Sequence, residues 1–313
     1  MHRILALSAV VWLIAVPAWG QHRRAAAPVP APAAGASLGA EALLLLDPDG
    51  RVLFARNAGE DHAPASLVKL MTLYLAYEDL EAGRVQWEDP VAISTHAAAT
   101  PRYRMGLRVG DTPPLRTLLE GVGIASANDA ATAVAEHLGG TEDQFVARMN
   151  STAQVLGLTA TRFANPHGLP DPNQRTTAND MATLTSRLVE DYPASRTILG
   201  GKTFIYRGRV YARRIPLFED PGGVQALKTG FTNEAGYNLA IAAWRAGHRY
   251  LLIVMGAQTR SQSFRDARRL LRFGFNEAAL DAADEPPRRE EPRKPPPRRL
   301  PPRRSSANVR GGR

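Results

Sequence analysis

The spacing of hydrophobic and polar positions changes twice along the chain. Near residue 40, two short runs rich in β-forming residues, 41–46 and 51–56, flank the turn sequence Asp47-Pro48-Asp49-Gly50. Such a pair of runs around a turn predicts an antiparallel hairpin. The middle of the chain then follows helical spacing, and the last third returns to short β-prone runs.

In the middle of the chain, apolar residues recur at the spacing of one helix face. Each run starts beside a residue that favours a helix N-terminus, such as Pro64 or Thr177. The clearest start is Thr141-Glu142-Asp143-Gln144, which is a capping box. The predicted helices run from Ser66 to Glu81, Thr112 to Leu119, Thr141 to Gly157, Thr177 to Tyr192 and Ser261 to Phe273.

The last third contains the remaining predicted strands. They cover 202–206, 209–213, 225–229, 237–244 and 250–255, with turns at Arg207-Gly208 and Ala246-Gly247-His248. The order of elements is a hairpin, a helical block, antiparallel strands and a final helix. This order predicts an α+β fold, in which helices flank both faces of one antiparallel sheet and a helical subdomain lies beside it.

The two ends of the chain differ from its body in composition. Residues 1–20 combine a basic start, an apolar run and a final Ala18-Trp19-Gly20, which is typical of a secretory signal peptide. We therefore expect an exported protein, periplasmic or associated with the cell envelope. The remaining chain predicts an Ala/Pro-rich linker at 21–39, one catalytic domain at 40–280 and a disordered Pro/Arg-rich basic tail at 281–313.

Charge and residue content exclude several classes of function. The formal net charge is +9, but residues 286–313 carry ten Lys/Arg and two Glu, and residues 21–285 are balanced. A nucleic-acid-binding domain would carry its basic surface on the fold, so no nucleic-acid partner is expected. The absence of Cys excludes disulfides and a thiol nucleophile. Because the seven His are scattered, neither a metal site nor a cofactor is predicted.

Three short motifs carry the candidate chemistry, and the first is Ser66-Leu67-Val68-Lys69. Its Ser and Lys lie three residues apart at the start of a predicted helix and therefore share one face. A Ser hydroxyl needs an adjacent base to act as a nucleophile. Lys69 can be that base only when neutral, and burial or a nearby ammonium such as Lys228 would lower its pKa. Taken alone, Ser66 could equally cap the helix while Lys69 lies on the surface.

The other two motifs add polar groups suited to a peptide substrate. Ser126-Ala127-Asn128 falls on a predicted Gly/Ala-rich turn at 121–127, where a hydroxyl could relay a proton and an amide could hold a carbonyl. A plain helix cap is the alternative. Lys228-Thr229-Gly230 is predicted to end a strand, where a cation and a hydroxyl would suit a terminal carboxylate. Gly230 would let a ligand approach the backbone closely.

With their flanks, these motifs resemble the active site of penicillin-binding D-alanyl-D-alanine carboxypeptidases. The matching stretches are 64–72, 126–130 and 227–232, with landmarks at Asn165-Pro166-His167-Gly168-Leu169, Thr177-Ala178-Asn179-Asp180-Met181 and Ala235-Gly236-Tyr237-Asn238-Leu239. The resemblance spans about residues 40–275. It implies a β-lactamase-like fold and a penicillin-binding enzyme that removes the terminal D-alanine from peptidoglycan stem peptides through an acyl-enzyme, which β-lactams would trap.

The resemblance also implies a role for each motif residue. Ser66 would be the nucleophile, Lys69 its base and Ser126 the proton relay. The substrate would be bound by Asn128, Lys228, Thr229, Gly230, Phe231 and, near its carboxylate, Arg260. The backbone N–H groups of Ser66 and Phe231 would form the oxyanion hole. His167 is expected to be a structural turn residue rather than a catalytic one.

Three other functions stay open at this point. A DD-endopeptidase that cuts peptide cross-links would use the same residues. A class A β-lactamase would need a Glu about 35 residues after the second motif, and none occurs between Asp143 and Val189. A non-catalytic wall-binding protein would have no reason to keep Ser66, Lys69 and both other motifs intact.

The C-terminal region departs from the pattern that the resemblance implies. Many members of that family carry a β-rich domain and an amphipathic anchor after the catalytic domain. About ten residues separate Phe275 from the basic tail, so neither is expected here. The tail is either a solvated linker or a segment that contacts anionic envelope components weakly through its charge.

Overall fold

A computed structural model describes residues 38–275; the predicted signal peptide and basic tail, and most of the predicted linker, lie outside this range. The strands are β1 (Ala42–Leu46), β2 (Val52–Arg56), β3 (Thr203–Tyr206), β4 (Arg209–Ala212), β5 (Val224–Thr232), β6 (Gly236–Arg245) and β7 (His248–Ala257). The helices are α1 (Lys69–Glu81), α2 (Thr95–Ala99), α3 (Leu115–Glu120), α4 (Asn128–Gly139), α5 (Glu142–Val155), α6 (Ala178–Asp191), α7 (Ser195–Gly200) and α8 (Arg260–Gly274). Short 3-10 turns lie at Ala65–Val68 and Pro216–Phe218, and a π-helical segment lies at Gly121–Ala125.

Five strands form one antiparallel sheet in the order β2-β1-β7-β6-β5. Strands β3 and β4 pair separately as a hairpin. The predicted α+β fold with an antiparallel sheet is therefore confirmed. Strand β5, which carries the third motif, lies at one edge of the sheet, so one side of its backbone has no strand partner.

Side chains alternate between the two faces of the sheet, and each face packs on helices. Leu44 of β1 and its cross-strand partner Ile253 of β7 join the cluster that contains buried residues of α1, α4, α5 and α6. The next pair, Leu43 and Val254, joins the cluster that contains buried residues of α8. Helices on both faces were predicted and are present. In residues 38–275, no helix is long and apolar enough to cross a membrane.

The helix starts that were predicted from capping residues are confirmed. The hydroxyl of Thr141 accepts from the backbone N–H of Gln144 at 3.2 Å, and Thr177 accepts from Asp180 at 3.1 Å. Each contact satisfies one of the free N–H groups of a helix N-terminus.

Two local predictions are wrong, and both involve glycine. Residues 121–125 do not form a turn but continue α3 as a π-helical segment. Their glycines are required by packing, because a Cβ at Gly121 would lie 2.6 Å from the sulfur of Met105 and one at Gly123 would overlap Ile198. Strand β5 does not end at the third motif but continues to Thr232, paired with β6 throughout.

Candidate active site

The first motif lies where a 3-10 turn meets α1. Ala65 has a left-handed backbone (φ 48°), which is unusual for a residue with a Cβ. This conformation places Ser66 one turn ahead of Lys69, the first residue of α1. The Lys69 Nζ atom lies 3.0 Å from the Ser66 Oγ atom. The predicted Ser–Lys pair is therefore in hydrogen-bonding contact.

The sheet holds the segment that carries Ser66 from one side. A Cβ at Gly230 would lie 3.1 Å from both the Ser66 nitrogen and the Pro64 carbonyl oxygen. Asn238 on β6 donates from Nδ2 to the carbonyls of Ala63 (3.0 Å) and Pro64 (3.2 Å). The absent side chain of Gly230 thus makes room for the protein's own backbone beside Ser66.

The loop 165–169 holds the same segment from the other side. A Cβ at Gly168 (φ 87°) would overlap the Ala65 carbonyl. Asn165 fixes the loop internally, since its Oδ1 accepts from the Gly168 N–H at 2.6 Å and its Nδ2 donates to the Leu169 carbonyl at 3.0 Å. The segment that carries Ser66 is therefore in close contact with both strand β5 and this loop.

Lys69 has three partners around its amino group. Its Nζ lies 2.7 Å from Asn128 Oδ1, hydrogen-bonds the His167 carbonyl and contacts Ser66 Oγ. The two carbonyl oxygens can only accept. A neutral lysine has two N–H bonds and one lone pair, so both N–H bonds go to the carbonyls and the lone pair faces the Ser66 hydroxyl. This is the arrangement that a general base requires.

Burial supports the neutral form of Lys69. Its side chain is 0% exposed, and this burial lowers its pKa to about 7, against the opposing charge of Asp129. A lysine with this pKa is substantially deprotonated at neutral pH.

The second motif connects to both lysines. Ser126 is left-handed (φ 56°), and its hydroxyl accepts from Lys228 Nζ at 2.8 Å. Asn128 begins α4 and donates from Nδ2 to the Pro101 carbonyl at 3.0 Å. Since its Oδ1 is taken by Lys69, only the second N–H of its amide is left for a substrate.

Lys228 lies at the bottom of the site and is 1% exposed. It donates to Ser126 Oγ and to the Thr229 carbonyl, each at 2.8 Å. Its pKa is lowered well below the ordinary value of lysine, first by burial and then by the charges of Lys69 and Arg213. The sequence predicted that burial or the neighbouring ammonium would lower the pKa of Lys69; burial is the main cause there, and repulsion between the two lysines lowers the pKa of Lys228.

Sequence reasoning missed Arg213, a third cation of the site, which is partly buried. It follows β4 and donates to the carbonyls of Gly201 (2.6 Å), Leu227 (2.8 Å) and Leu199. Burial lowers its pKa to about 10. In the sequence it stands among other arginines of a β-prone hairpin, and nothing distinguishes it from an exposed neighbour.

Asp129 was also missed, although it follows Asn128 directly. It is fully buried and accepts backbone N–H bonds from Met105, Gly106 and Leu107 at 2.9–3.0 Å. It thereby fixes the segment before α3 to the first turn of α4. In the sequence, the signal that could have indicated this role is an acidic residue directly after a motif residue.

The motif residues surround one cleft of about 470 Å³. Its lining includes the predicted residues Ser66, Ser126, Lys228, Thr229, Gly230, Phe231 and Arg260, together with Tyr103 and Arg213. Lys69 and Asn128 lie just behind this lining. Arg260 is exposed at the rim, where it donates to the Arg214 carbonyl at 2.9 Å and lies 5.4 Å from the Phe264 ring.

The described residues contain no group of three or more His, Asp or Glu side chains placed to bind a metal ion. The site instead combines Ser-x-x-Lys, Ser-x-Asn and Lys-Thr-Gly motifs around an antiparallel sheet with helices on both faces. Fold and motifs together define the class of active-site serine proteins that contains the penicillin-binding proteins and the class A β-lactamases.

Comparison with known proteins identifies the family within this class. The profile of the D-alanyl-D-alanine carboxypeptidase family matches residues 27–259. The chain is 37% identical over 276 residues to D-alanyl-D-alanine carboxypeptidase DacC of Escherichia coli, which covers 86% of this chain and 67% of DacC. It is 35% identical to DacF of Bacillus subtilis, covering 76% of this chain and 62% of DacF. The chain belongs to the D-alanyl-D-alanine carboxypeptidase family.

Solved structures agree with this assignment. Penicillin binding protein 5 from Haemophilus influenzae is 33% identical and superposes with a TM-score of 0.74, over 77% of this chain and 72% of that one. Penicillin-Binding Protein D2 from Listeria monocytogenes, solved in a cefotaxime-bound form, is 30% identical with a TM-score of 0.66, over 77% of this chain and 99% of that one. The chain spans 62–67% of the length of the two curated relatives named above.

Proposed function

We propose that the protein is a serine-type D-Ala-D-Ala carboxypeptidase that removes the terminal D-alanine from peptidoglycan stem peptides and is acylated by β-lactams. One observation carries this proposal. Lys69 Nζ joins Ser66 Oγ to Asn128 Oδ1, and Lys228 Nζ contacts Ser126 Oγ, so the three motifs meet in one buried hydrogen-bonded site. Family membership supports the same activity.

In the proposed acylation step, Ser66 Oγ attacks the carbonyl carbon of the penultimate D-alanine. The hydroxyl proton passes to the lone pair of Lys69. The backbone N–H groups of Ser66 and Phe231, which both line the cleft, would stabilise the oxyanion. When the C–N bond breaks, the Lys69 ammonium would give this proton to the leaving D-alanine amine by way of the Ser126 hydroxyl, which leaves Lys69 neutral again. Water then attacks the ester, with Lys69 again as the base, and restores Ser66.

The charge of the cleft fits a substrate with a terminal carboxylate. Lys228 and Arg213 line it and have no carboxylate among their described hydrogen-bond partners, and Arg260 stands at its rim. We assign carboxylate binding to Lys228, Thr229 and Arg260, and substrate carbonyl binding to the free N–H of Asn128. Gly230 and Phe231 would present the edge of β5 to the peptide backbone.

The first test is intact-mass spectrometry of the protein with a penicillin, with wild type beside Ser66→Ala. We expect one stable adduct on wild type and none on the variant. Release of D-alanine from a pentapeptide, compared with cleavage of a cross-linked dimer, then separates carboxypeptidase from endopeptidase. Rapid opening of the penicillin ring without an adduct would identify a β-lactamase, and an unreacted penicillin would contradict the proposal.

We further propose that residues 1–20 direct export and that the basic tail associates with anionic envelope polymers or lipid head groups. The tail's ten Lys/Arg among residues 286–313 support the second part, because such contacts are electrostatic. Truncation before Pro286 should abolish envelope association at low salt, and high salt should release the full-length protein. Association that is unchanged by truncation at both salt concentrations would exclude a role for the tail.

A further inference from the structure

A second cleft is connected to Lys69 through the side chain of Glu142 and through His167. It has a volume of about 760 Å³, and its lining includes His96, Glu136 and Glu142. It shares no lining residue with the cleft that holds Ser66. His167 stands between the two, because its carbonyl accepts a hydrogen bond from Lys69 and its ring faces Glu142.

The protonation state of the His167 ring follows from its contacts. The Leu169 N–H donates to Nδ1 at 3.2 Å, so the ring proton is on Nε2, which lies 3.8 Å from Glu142 Oε1. Burial, followed by the charges of Lys69 and His96, lowers the pKa of His167 to about 3. The ring is therefore neutral at pH values near 7.

Exposure decreases from the second cleft toward the lysine. The side chain of His96 is 65% exposed, that of Glu142 is 20% exposed and that of His167 is 10% exposed. Glu142 connects the two histidines, with its Oε2 at 2.9 Å from His96 Nε2. His167 thus connects Glu142, which lines this cleft, to the fully buried Lys69.

We infer that His167 is a positioning residue for the Ser–Lys pair: its ring closes the passage from the second cleft, and its carbonyl holds Lys69 Nζ against Ser66. The inference rests on the proposed function, in which Lys69 is the base. It gives His167 a role beyond the structural turn that the sequence predicted. The imidazole itself contacts no substrate.

The expected effect of opening this passage is a change in the protonation of Lys69. Burial is the main cause of its lowered pKa, so water that enters from behind would stabilise the ammonium and raise that pKa. The other charged groups that face Lys69 are Asp129 from α4 and Lys228 from β5. Glu142 from α5 and His96 from α2 face His167 on its outer side.

The test is the pH dependence of acylation by a fluorescent penicillin for wild type and three variants. In His167→Ala, the rise of the acylation rate with pH should move up by about one pH unit, and the maximal rate should fall about tenfold. The dissociation constant of the initial noncovalent penicillin complex should stay within about twofold, because the imidazole contacts no substrate. His167→Asn keeps an acceptor for the Leu169 N–H but fills less space, so it should show a smaller shift in the same direction. His96→Ala removes only the solvent-side partner of Glu142 and should retain the wild-type profile.

Each outcome bears on a different statement. If wild type is not acylated at any pH, the proposed function fails. If wild type is acylated and both His167 variants keep its pH profile, the function stands and the role of His167 is wrong. An equal shift in His96→Ala would also overturn the inference, since the effect would then come from surface charge. If circular dichroism shows that His167→Ala is not folded, the profile of His167→Asn alone tests the role of His167.

Discussion

Lys69 and Lys228 are buried in the same site but have different surroundings. Lys69 has a carboxylate nearby, Asp129, which partly opposes the effect of burial on its pKa. Lys228 has only cations among its charged neighbours that shift its pKa, and these act in the same direction as burial. The two lysines therefore differ in what stabilises their charge: Lys69 has Asp129 nearby, whereas Lys228 has no such anion, and a carboxylate bound beside it would stabilise its ammonium form.

The protonation of Lys69 should set the pH dependence of acylation. Its pKa is lowered to about 7, and only the deprotonated form can accept the Ser66 proton. The second-order rate constant with a penicillin should therefore be low near pH 5, rise through about pH 7 and level off by about pH 8. Stopped-flow measurement with a fluorescent penicillin tests this. Lys69→Arg, which stays protonated, should show no activity across the range; comparable activity in that variant would exclude Lys69 as the base.

The buried amino group of Lys228 should destabilise the fold, and a neutral side chain at this position should remove that effect. It is 1% exposed and is repelled by Lys69 and Arg213. Replacing such a group with an apolar side chain of similar size often stabilises the fold. Lys228→Met should raise the midpoint of thermal unfolding by about 2 to 6 °C while abolishing acylation. Lys202→Met, at a side chain that is 59% exposed, is the matched control and should leave the midpoint unchanged. A lower midpoint in Lys228→Met would show that its two hydrogen bonds outweigh the repulsion.

The residue types of the proposed site could be predicted from sequence, and their supports could not. Ser66, Lys69, Asn128 and Lys228 stand in short local motifs whose spacing is informative. The third partner of Lys69 is a backbone carbonyl, that of His167, which carries no side-chain signal. Arg213 reaches the site only because the chain folds back beside β5, which is a non-local event.

Element by element, prediction succeeded where the signal is local. The helix starts at Thr141 and Thr177 depend on a side chain and a backbone N–H within three residues. Prediction failed at Gly121, Gly123 and Gly230, because in a local sequence pattern a glycine indicates a turn or the end of a strand. These glycines make room for neighbours distant in sequence, which a local pattern cannot show.

The contact between β5 and residues 64–66 predicts that the site is sensitive to substitution of Gly230. A methyl group at Gly230 would lie 3.1–3.2 Å from atoms of Pro64, Ala65 and Ser66, so that segment must shift to admit it. Gly230→Ala should reduce the acylation rate about 10- to 100-fold through misplacement of Ser66. Gly59→Ala is the control, because its Cβ would have no neighbour closer than 3.7 Å. A normal acylation rate in Gly230→Ala would show that the 64–66 segment adapts without effect on the chemistry.

For the molecule as a whole, the order of elements was sufficient to predict the α+β class. The order of strands was not predictable, because β1 lies between β2 and β7, and its pairing with β7 joins residues about two hundred positions apart. That long-range pairing brings the first and third motifs into the same region of the molecule.

The distribution of charge predicts a dependence on ionic strength. Arg260 is exposed at the rim of a cleft that also contains Lys228 and Arg213. Capture of a penicillin carboxylate should therefore slow several-fold between about 20 and 200 mM salt. Arg260→Gln should be slower at low salt by about three- to tenfold and less sensitive to salt. A salt dependence equal to that of wild type would remove Arg260 from carboxylate recognition.

The position of β5 at the edge of the sheet bears on how the molecule avoids aggregation. An unpaired strand edge is a template for β-pairing with other molecules. Here α7 packs so closely that a Cβ at Gly200 would lie 2.5 Å from the Gln225 carbonyl, and Arg213 donates to the carbonyl of Leu227. Further along the same strand, Thr229 and Phe231 line the cleft. This short stretch would admit the peptide that we propose as the substrate, and it is too short for a stable intermolecular sheet with a second protein.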